Sequence, residues 1–293
     1  MSNPLFTGCG VALVTPMTPE GIDYPALARL IEWHIAAGTD ALVLCATTGE
    51  GATLTREERR EIVRRGIAQA AGRIPVLVGT GSNCTSTAVE LSREADEMGA
   101  DGVLVVTPYY NKATQRGLVA HFTAVADAIR CPLIVYNVPS RTGVSCTAET
   151  YRALAQHPNI VGVKEASGSF ALVQETRALC GDDFAVWSGN DEDTAAVCML
   201  GGAGVISVAA NLIPREMHAL TQLCRSNRFA EAGREQLRLL PLLRALFSEV
   251  NPIPIKTAMA RAGLCSAYLR APLCEMGEEN RACLYEAMAA LGI

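Results

Sequence analysis

Short apolar runs, rich in β-branched side chains and bounded by glycine or proline, recur along this chain and alternate with stretches of helical periodicity. They fall at residues 10–15, 41–45, 76–79, 102–106, 133–136, 160–164, 185–188 and 204–207. Runs of this kind, at spacings of roughly thirty residues, are the signature of repeated βαβ units whose strands are covered on both faces. Between the second and third, Thr55 and Glu58 form a capping box ahead of Ile62, Val63 and Ile67, which predicts an amphipathic outer helix. From about Arg215 the strand signals stop, and helix-like segments follow, punctuated by Asn251-Pro252-Ile253-Pro254 and Ala271-Pro272. The pattern predicts an α/β fold: a (β/α)8 TIM barrel over residues 1–224, with a small C-terminal helical extension over 225–293 packed on it. A doubly wound sheet is the alternative, because strand count alone does not prove closure. Against it, no GxGxxG follows the first run.

Composition narrows the function classes. With 49% hydrophobic and 19% charged residues, the 293-residue chain can bury one large core. A net charge of −5 and scattered Lys and Arg offer no basic face to a phosphate backbone, which argues against nucleic acid as a partner. No apolar run reaches membrane-spanning length, and residues 1–8 lack the charged and apolar regions of a leader. A cytoplasmic protein with no membrane contact is expected. The 11 cysteines are an odd count without CxxC or Cys/His ligand spacing, and Cys45 and Cys198 lie in apolar runs. They read as buried reduced thiols, and no metal site is expected.

Lysine occurs only at Lys112, Lys164 and Lys256, and Lys164 closes the apolar run Ile160-Val161-Gly162-Val163. A lysine at a strand end can reach solvent or pair with Glu165. If that end lies at the C-terminal mouth of a barrel, desolvation instead lowers its pKa toward a nucleophilic amine, and a Schiff-base lysine becomes the better reading. Thr47-Thr48-Gly49-Glu50 after the second run is either a capped turn or a cradle of hydroxyl and N–H donors for a small carboxylate. Tyr136 ends the fifth run, as a core residue or as a phenol able to shuttle protons beside an amine. Arg141, on a loop bounded by Pro139 and Gly143, is a solvated charge or the planar receptor of a second carboxylate. Tyr109 and Tyr110, after the fourth run, stay open between packing and catalysis. Amine, hydroxyls and guanidinium at successive mouth positions, without a metal or cofactor motif, fit oxoacid carbon chemistry.

These motifs, with Val78-Gly79-Thr80-Gly81, Thr107-Pro108-Tyr109-Tyr110-Asn111, Gly162-Val163-Lys164-Glu165-Ala166, the segment 201–207 and Asn251-Pro252-Ile253-Pro254, resemble the dihydrodipicolinate synthase (4-hydroxy-tetrahydrodipicolinate synthase) family within the N-acetylneuraminate lyase superfamily. The resemblance covers essentially the whole chain. It implies condensation of pyruvate with L-aspartate 4-semialdehyde on the branch toward diaminopimelate and lysine, with no cofactor. It makes Lys164 the carrier of the pyruvate imine and Tyr136 the proton donor and acceptor. Thr47 and Tyr110 complete a hydroxyl relay, Tyr110 being lent by a neighbouring subunit. Thr48, Ile206 and Gly189 match substrate-binding positions, Thr48 at the pyruvate carboxylate, and Arg141 matches the receptor for the carboxylate of the aldehyde.

A lyase for sialic acid or a keto-deoxy sugar acid would keep Lys164 and Tyr136, but Thr47-Thr48 and Ser140-Arg141-Thr142-Gly143 favour the synthase pattern. A catalytically dead, pyruvate-binding barrel would have lost the lysine, the tyrosine or the threonine pair, and all are present. The resemblance further points to a homotetramer built as a dimer of tight dimers. Lysine-inhibited members carry a glutamate and histidines at positions occupied here by Thr87, Arg56 and Arg59, so insensitivity to L-lysine is expected, with Glu90 a possible substitute carboxylate.

Overall fold

All eight apolar runs form parallel strands: β1 (Gly8–Ala12), β2 (Ala41–Leu44), β3 (Val76–Gly79), β4 (Gly102–Val106), β5 (Leu133–Asn137), β6 (Ile160–Glu165), β7 (Ala185–Ser188) and β8 (Gly204–Ser207). They are seen in a computed structural model that describes residues 4–293. The first three residues, part of the stretch expected to carry no leader, lie outside the described residues. β1 hydrogen-bonds to both β2 and β8, so the sheet closes into a barrel and the doubly wound alternative falls.

β1 departs most from its expected place, while β2, β5 and β6 differ by one residue at one end. The apolar run extends beyond the strand because Leu13 and Val14 stay buried, while the Val14 N–H leaves the ladder for Asn211 Oδ1 at 2.9 Å. A two-stranded hairpin, Met17–Thr18 with Gly21–Ile22, was not expected; two residues per strand carry no readable period. The capping box at Thr55 and Glu58 opens the helix Arg56–Ala70, which buries Ile62 and Val63.

Strand alternation divides the interior in two. Leu133, Val135, Val163 and Val205 face outward into the layer between barrel and helices. Ile134, Tyr136, Trp187 and Ile206 face inward, with Phe6 stacked on Trp187 at 5.1 Å to plug the bottom. Such a barrel is a packed core with a site only at its mouth.

Beyond the last barrel helix, Pro214–Arg225, the chain continues in the helices Phe229–Ala245, Ile253–Arg261 and Glu278–Ala290. Among the described residues no helix is long and apolar enough to cross a membrane. All eleven cysteines are free, but Cys84, Cys274 and Cys283 are exposed, which corrects the expectation of uniformly buried thiols. Cys84 precedes a helix in a polar stretch, Cys274 lies in a loop, and Cys283 stands on the exposed side of the helix Glu278–Ala290, so each is solvent-facing by position.

Candidate active site

Lys164 sits at the inward-facing end of β6, 4% exposed, its Nζ 4.4 Å from the centroid of the Tyr136 ring. Glu165, the next residue, necessarily faces the other way. Its carboxylate accepts from Tyr151 Oη at 2.6 Å, from Asn137 Nδ2 at 3.1 Å and from the Ser167 N–H at 2.8 Å. The pairing of Lys164 with Glu165 is therefore removed by strand alternation. Burial pulls the Lys164 pKa down to about 8; the Asp191 carboxylate pulls it up, and the Arg141 guanidinium lowers it further.

Tyr136 is raised above its ordinary pKa by burial, against the pull of Arg141 and the Thr47 hydroxyl. It is a protonated phenol at neutral pH, beside an amine.

The Thr47–Gly51 turn is shaped by its backbone. Cys45 and Glu50 adopt left-handed φ values of 55° and 53°, a conformation costly for side chains that have a Cβ. Glu50 is held there by Lys256, the two buried side chains meeting at 2.6 Å, and by the Arg270 N–H at 3.0 Å. Gly49 is required because a Cβ would lie 2.9 Å from the Leu13 carbonyl. So positioned, Thr48 is buried, and its Oγ1 accepts from Asn251 Nδ2 at 2.9 Å. Its own proton remains available to a carboxylate.

Arg141 lies on the one-turn helix Pro139–Thr142, which ends at Gly143 with φ 72°. Its Nη2 donates to the Asn251 carbonyl at 3.1 Å, leaving the rest of the fork toward the cavity. Gly189 abuts the reactive side chain: a Cβ there would sit 3.2 Å from Lys164 Cε and 2.6 Å from the Ala166 Cβ. Ile206 is fully buried among the inward side chains. Thr47, Tyr136, Arg141 and Asn251 line one cavity of about 650 Å³, large enough for two small carboxylic acids. Tyr110 is not brought to it within one chain; it is 89% exposed, at φ 72°.

A model of the dihydrodipicolinate synthetase family matches residues 5–291. The chain belongs to that family. It is 49% identical over 291 residues to the 4-hydroxy-tetrahydrodipicolinate synthase of Thermoanaerobacter sp. (strain X514), covering 99% of this chain and 98% of that one. The solved dihydrodipicolinate synthase from Aquifex aeolicus is 45% identical, with a TM-score of 0.96 over 98% of both chains. The chloride-inhibited dihydrodipicolinate synthase from Acinetobacter baumannii, solved complexed with pyruvate, is 41% identical, with a TM-score of 0.96 over 98% of this chain and 99% of that one.

Two residues at the site, Asp191 and Lys256, escaped the motif reading, and Asn251 was read only as part of the Asn251-Pro252-Ile253-Pro254 motif, without a role. Asp191 follows β7 and is fixed by the N–H groups of Val208 and Ala209 at 3.0 and 2.9 Å, while its Oδ1 is buried without a hydrogen-bond partner. Lys256 and Asn251 come from the helical region, 203 or more residues from the turn they hold. Lys256 carried a faint signal as a lone lysine among apolar neighbours. Asp191 carried none, because an acidic residue in a loop is normally solvated.

Proposed function

We propose that the chain acts as a 4-hydroxy-tetrahydrodipicolinate synthase, joining pyruvate to L-aspartate 4-semialdehyde through an imine on Lys164. The observation that carries this reading is a buried, unpaired lysine amine of lowered pKa beside Tyr136, in a chain closely related to enzymes of that name. The neutral amine attacks the pyruvate carbonyl, and water leaves as the imine forms. Its protonated form draws electrons from the methyl group, so a weak base removes a methyl proton and leaves an enamine. Tyr136, with Thr47, carries protons to and from these positions. The enamine carbon attacks the aldehyde carbon, forming the new C–C bond while the aldehyde oxygen takes a proton. The amine of the second substrate then adds to the imine carbon and displaces Lys164, closing the ring. Thr48 and Arg141 anchor the two carboxylates, with Gly189 and Ile206 shaping the pyruvate end. Such orientation supplies several of the roughly 7–11 kcal/mol that proximity can contribute.

Tyr110 completes the proton relay from a neighbouring subunit of a homotetramer, a role supported by its exposure and left-handed backbone. The same reading puts the enzyme in the cytoplasm and divides the chain into a barrel at 1–224 and a helical region at 225–293. Borohydride reduction in the presence of pyruvate, followed by peptide mass mapping, is expected to label Lys164. Labelling at Lys112 or Lys256, or none, overturns the mechanism. Release of pyruvate from N-acetylneuraminate at a comparable rate instead identifies a sialic acid lyase.

A further inference from the structure

The outer faces of β5 and β6 change character at their last residue. Leu133, Val135, Ile160 and Val163 pack there in the apolar layer under the helices, and then Asn137 stands in register with Glu165. Both are buried, and each directly follows a residue of the candidate site, Tyr136 or Lys164. Among the described residues Glu165 accepts only from neutral donors. These are Tyr151 Oη at 2.6 Å, the Ser167 N–H at 2.8 Å, and Asn137 Nδ2, which reaches both carboxylate oxygens at 3.1 Å. Asn137 in turn accepts from the Cys146 N–H at 3.1 Å and donates to Ser145 Oγ at 3.2 Å. Tyr151 stands on the helix Ala148–Leu154.

A buried carboxylate met by no cation is a poor source of stability, because an apolar side chain in the same layer would avoid its desolvation. What the carboxylate has and an apolar side chain lacks is direction. Its two oxygens gather donors from β5, from the turn after β6 and from the helix after β5, at the point where the β5–β6 ladder ends. Through Asn137 and the Cys146 N–H it also closes the base of the segment that carries Arg141.

We propose that Glu165, with Asn137 and Tyr151, is a positioning residue for the reaction: from the outer face of the barrel its carboxylate fixes the ends of β5 and β6, so that the Lys164 amine and the Tyr136 phenol keep the spacing that proton transfer requires. This rests on the reading in which those two groups react. Glu165 faces away from the cavity and acts through the backbone. The lever is short, since one peptide separates each clamp residue from the group it aims, and a shift on the outer face passes directly to the inner one. The same anion reaches the phenol through space: burial is the main cause that raises the Tyr136 pKa, and the Glu165 carboxylate adds to it.

The test is a double-mutant cycle on kcat. Glu165→Gln keeps the shape but offers one oxygen, where two now serve Tyr151, Ser167 and Asn137. It is expected to lower kcat roughly tenfold, the scale of a small misplacement of reacting groups. In a Tyr136→Phe background the same substitution is expected to cost less than about twofold, because the phenol it aims is already gone. A merely structural role lowers activity by the same factor in both backgrounds. Equal losses, or a kcat that Glu165→Gln leaves unchanged, overturn the proposal. Tyr151→Phe keeps the carboxylate and removes one donor, and it decides if the glutamine variant does not fold. Its loss is expected to be severalfold and again to vanish beside Tyr136→Phe; no loss, or the same loss in both backgrounds, overturns the proposal here too. If borohydride and pyruvate fail to label Lys164 in the wild-type enzyme, the proposal falls with the reading it rests on, whereas the other outcomes leave that reading standing.

Discussion

Tyr136 and Lys164 are register partners on the adjacent parallel strands β5 and β6. That register depends on an irregularity at the strand starts: Leu133 pairs with Ile160 but Ile134 pairs with Gly162, leaving Val161 as the extra residue. Because side chains alternate with a period of two, a one-residue slip would set inward Tyr136 against outward Val163. The bulge thus brings phenol and amine side by side.

The lowered Lys164 pKa sets a pH dependence. The neutral amine attacks, so the rate of pyruvate-dependent borohydride inactivation is expected to rise with pH through a midpoint near 8. At pH 7 about one amine in ten is then neutral, against about one in three thousand for an ordinary lysine. The Asp191 carboxylate holds the pKa up, so Asp191→Asn is expected to move the midpoint lower. A midpoint near the ordinary lysine value, or no movement in the variant, counts against this electrostatic account.

Tyr136→Phe removes one hydroxyl with little change of volume. If the phenol carries protons in the slow step, kcat is expected to fall by roughly 10² or more, with the thermal midpoint nearly unchanged. Turnover close to wild type makes Tyr136 a packing residue.

Arg141→Ala is expected to raise the KM for L-aspartate 4-semialdehyde by the loss of a charge-assisted pair, about 2–4 kcal/mol, and to leave the KM for pyruvate less affected. Steady-state kinetics varying each substrate in turn separates the two effects. An aldehyde KM that does not move removes Arg141 from the role of receptor.

Lys256→Met leaves the Glu50 carboxylate buried with only the Arg270 N–H. Breaking one side of a buried ion pair costs about 3–5 kcal/mol, whereas replacing both members is often far milder. Urea unfolding is expected to show a large loss for Lys256→Met and partial recovery in Glu50→Leu/Lys256→Met. A single-variant loss below about 1 kcal/mol contradicts the clamp.

L-lysine at millimolar concentration is expected to leave activity nearly unchanged. Arg56 is paired with Glu94, and Arg59 donates to the carbonyls of Gly79 and Gly51, so both guanidinium groups are held in place. A diammonium ligand beside them meets like charge without the carboxylate that Thr87 lacks, a cost of about tenfold or more in affinity. Half-inhibition well below a millimolar refutes this, while Arg56→His with Arg59→His and Thr87→Glu is expected to confer sensitivity.

Much of the site was legible because catalysis places its side chains at strand ends, and strand ends are the sharpest features of the hydrophobic pattern. Lys164 and Tyr136 each terminate an apolar run, and Thr47, Arg141 and Tyr110 follow one within a few residues. Tyr110 shows the limit of that reasoning. Its position after β4 is readable, but its exposure depends on a turn through φ 72° that no local composition announces.

The sequence by itself determined the eight strands and which residues stand at their C-terminal ends, because an apolar run and its end are readable within a short window. Only the tertiary structure decided that the sheet closes, that Val161 shifts the β5–β6 register, and that Asp191 rather than Glu165 is the carboxylate acting on Lys164. It also decided that Asn251 and Lys256 return from the helical region to hold Thr48 and Glu50. The physical reason is range. Patterning acts over a few residues of chain, whereas hydrogen bonds and desolvation depend on distances in space, which the fold sets between residues some two hundred positions apart.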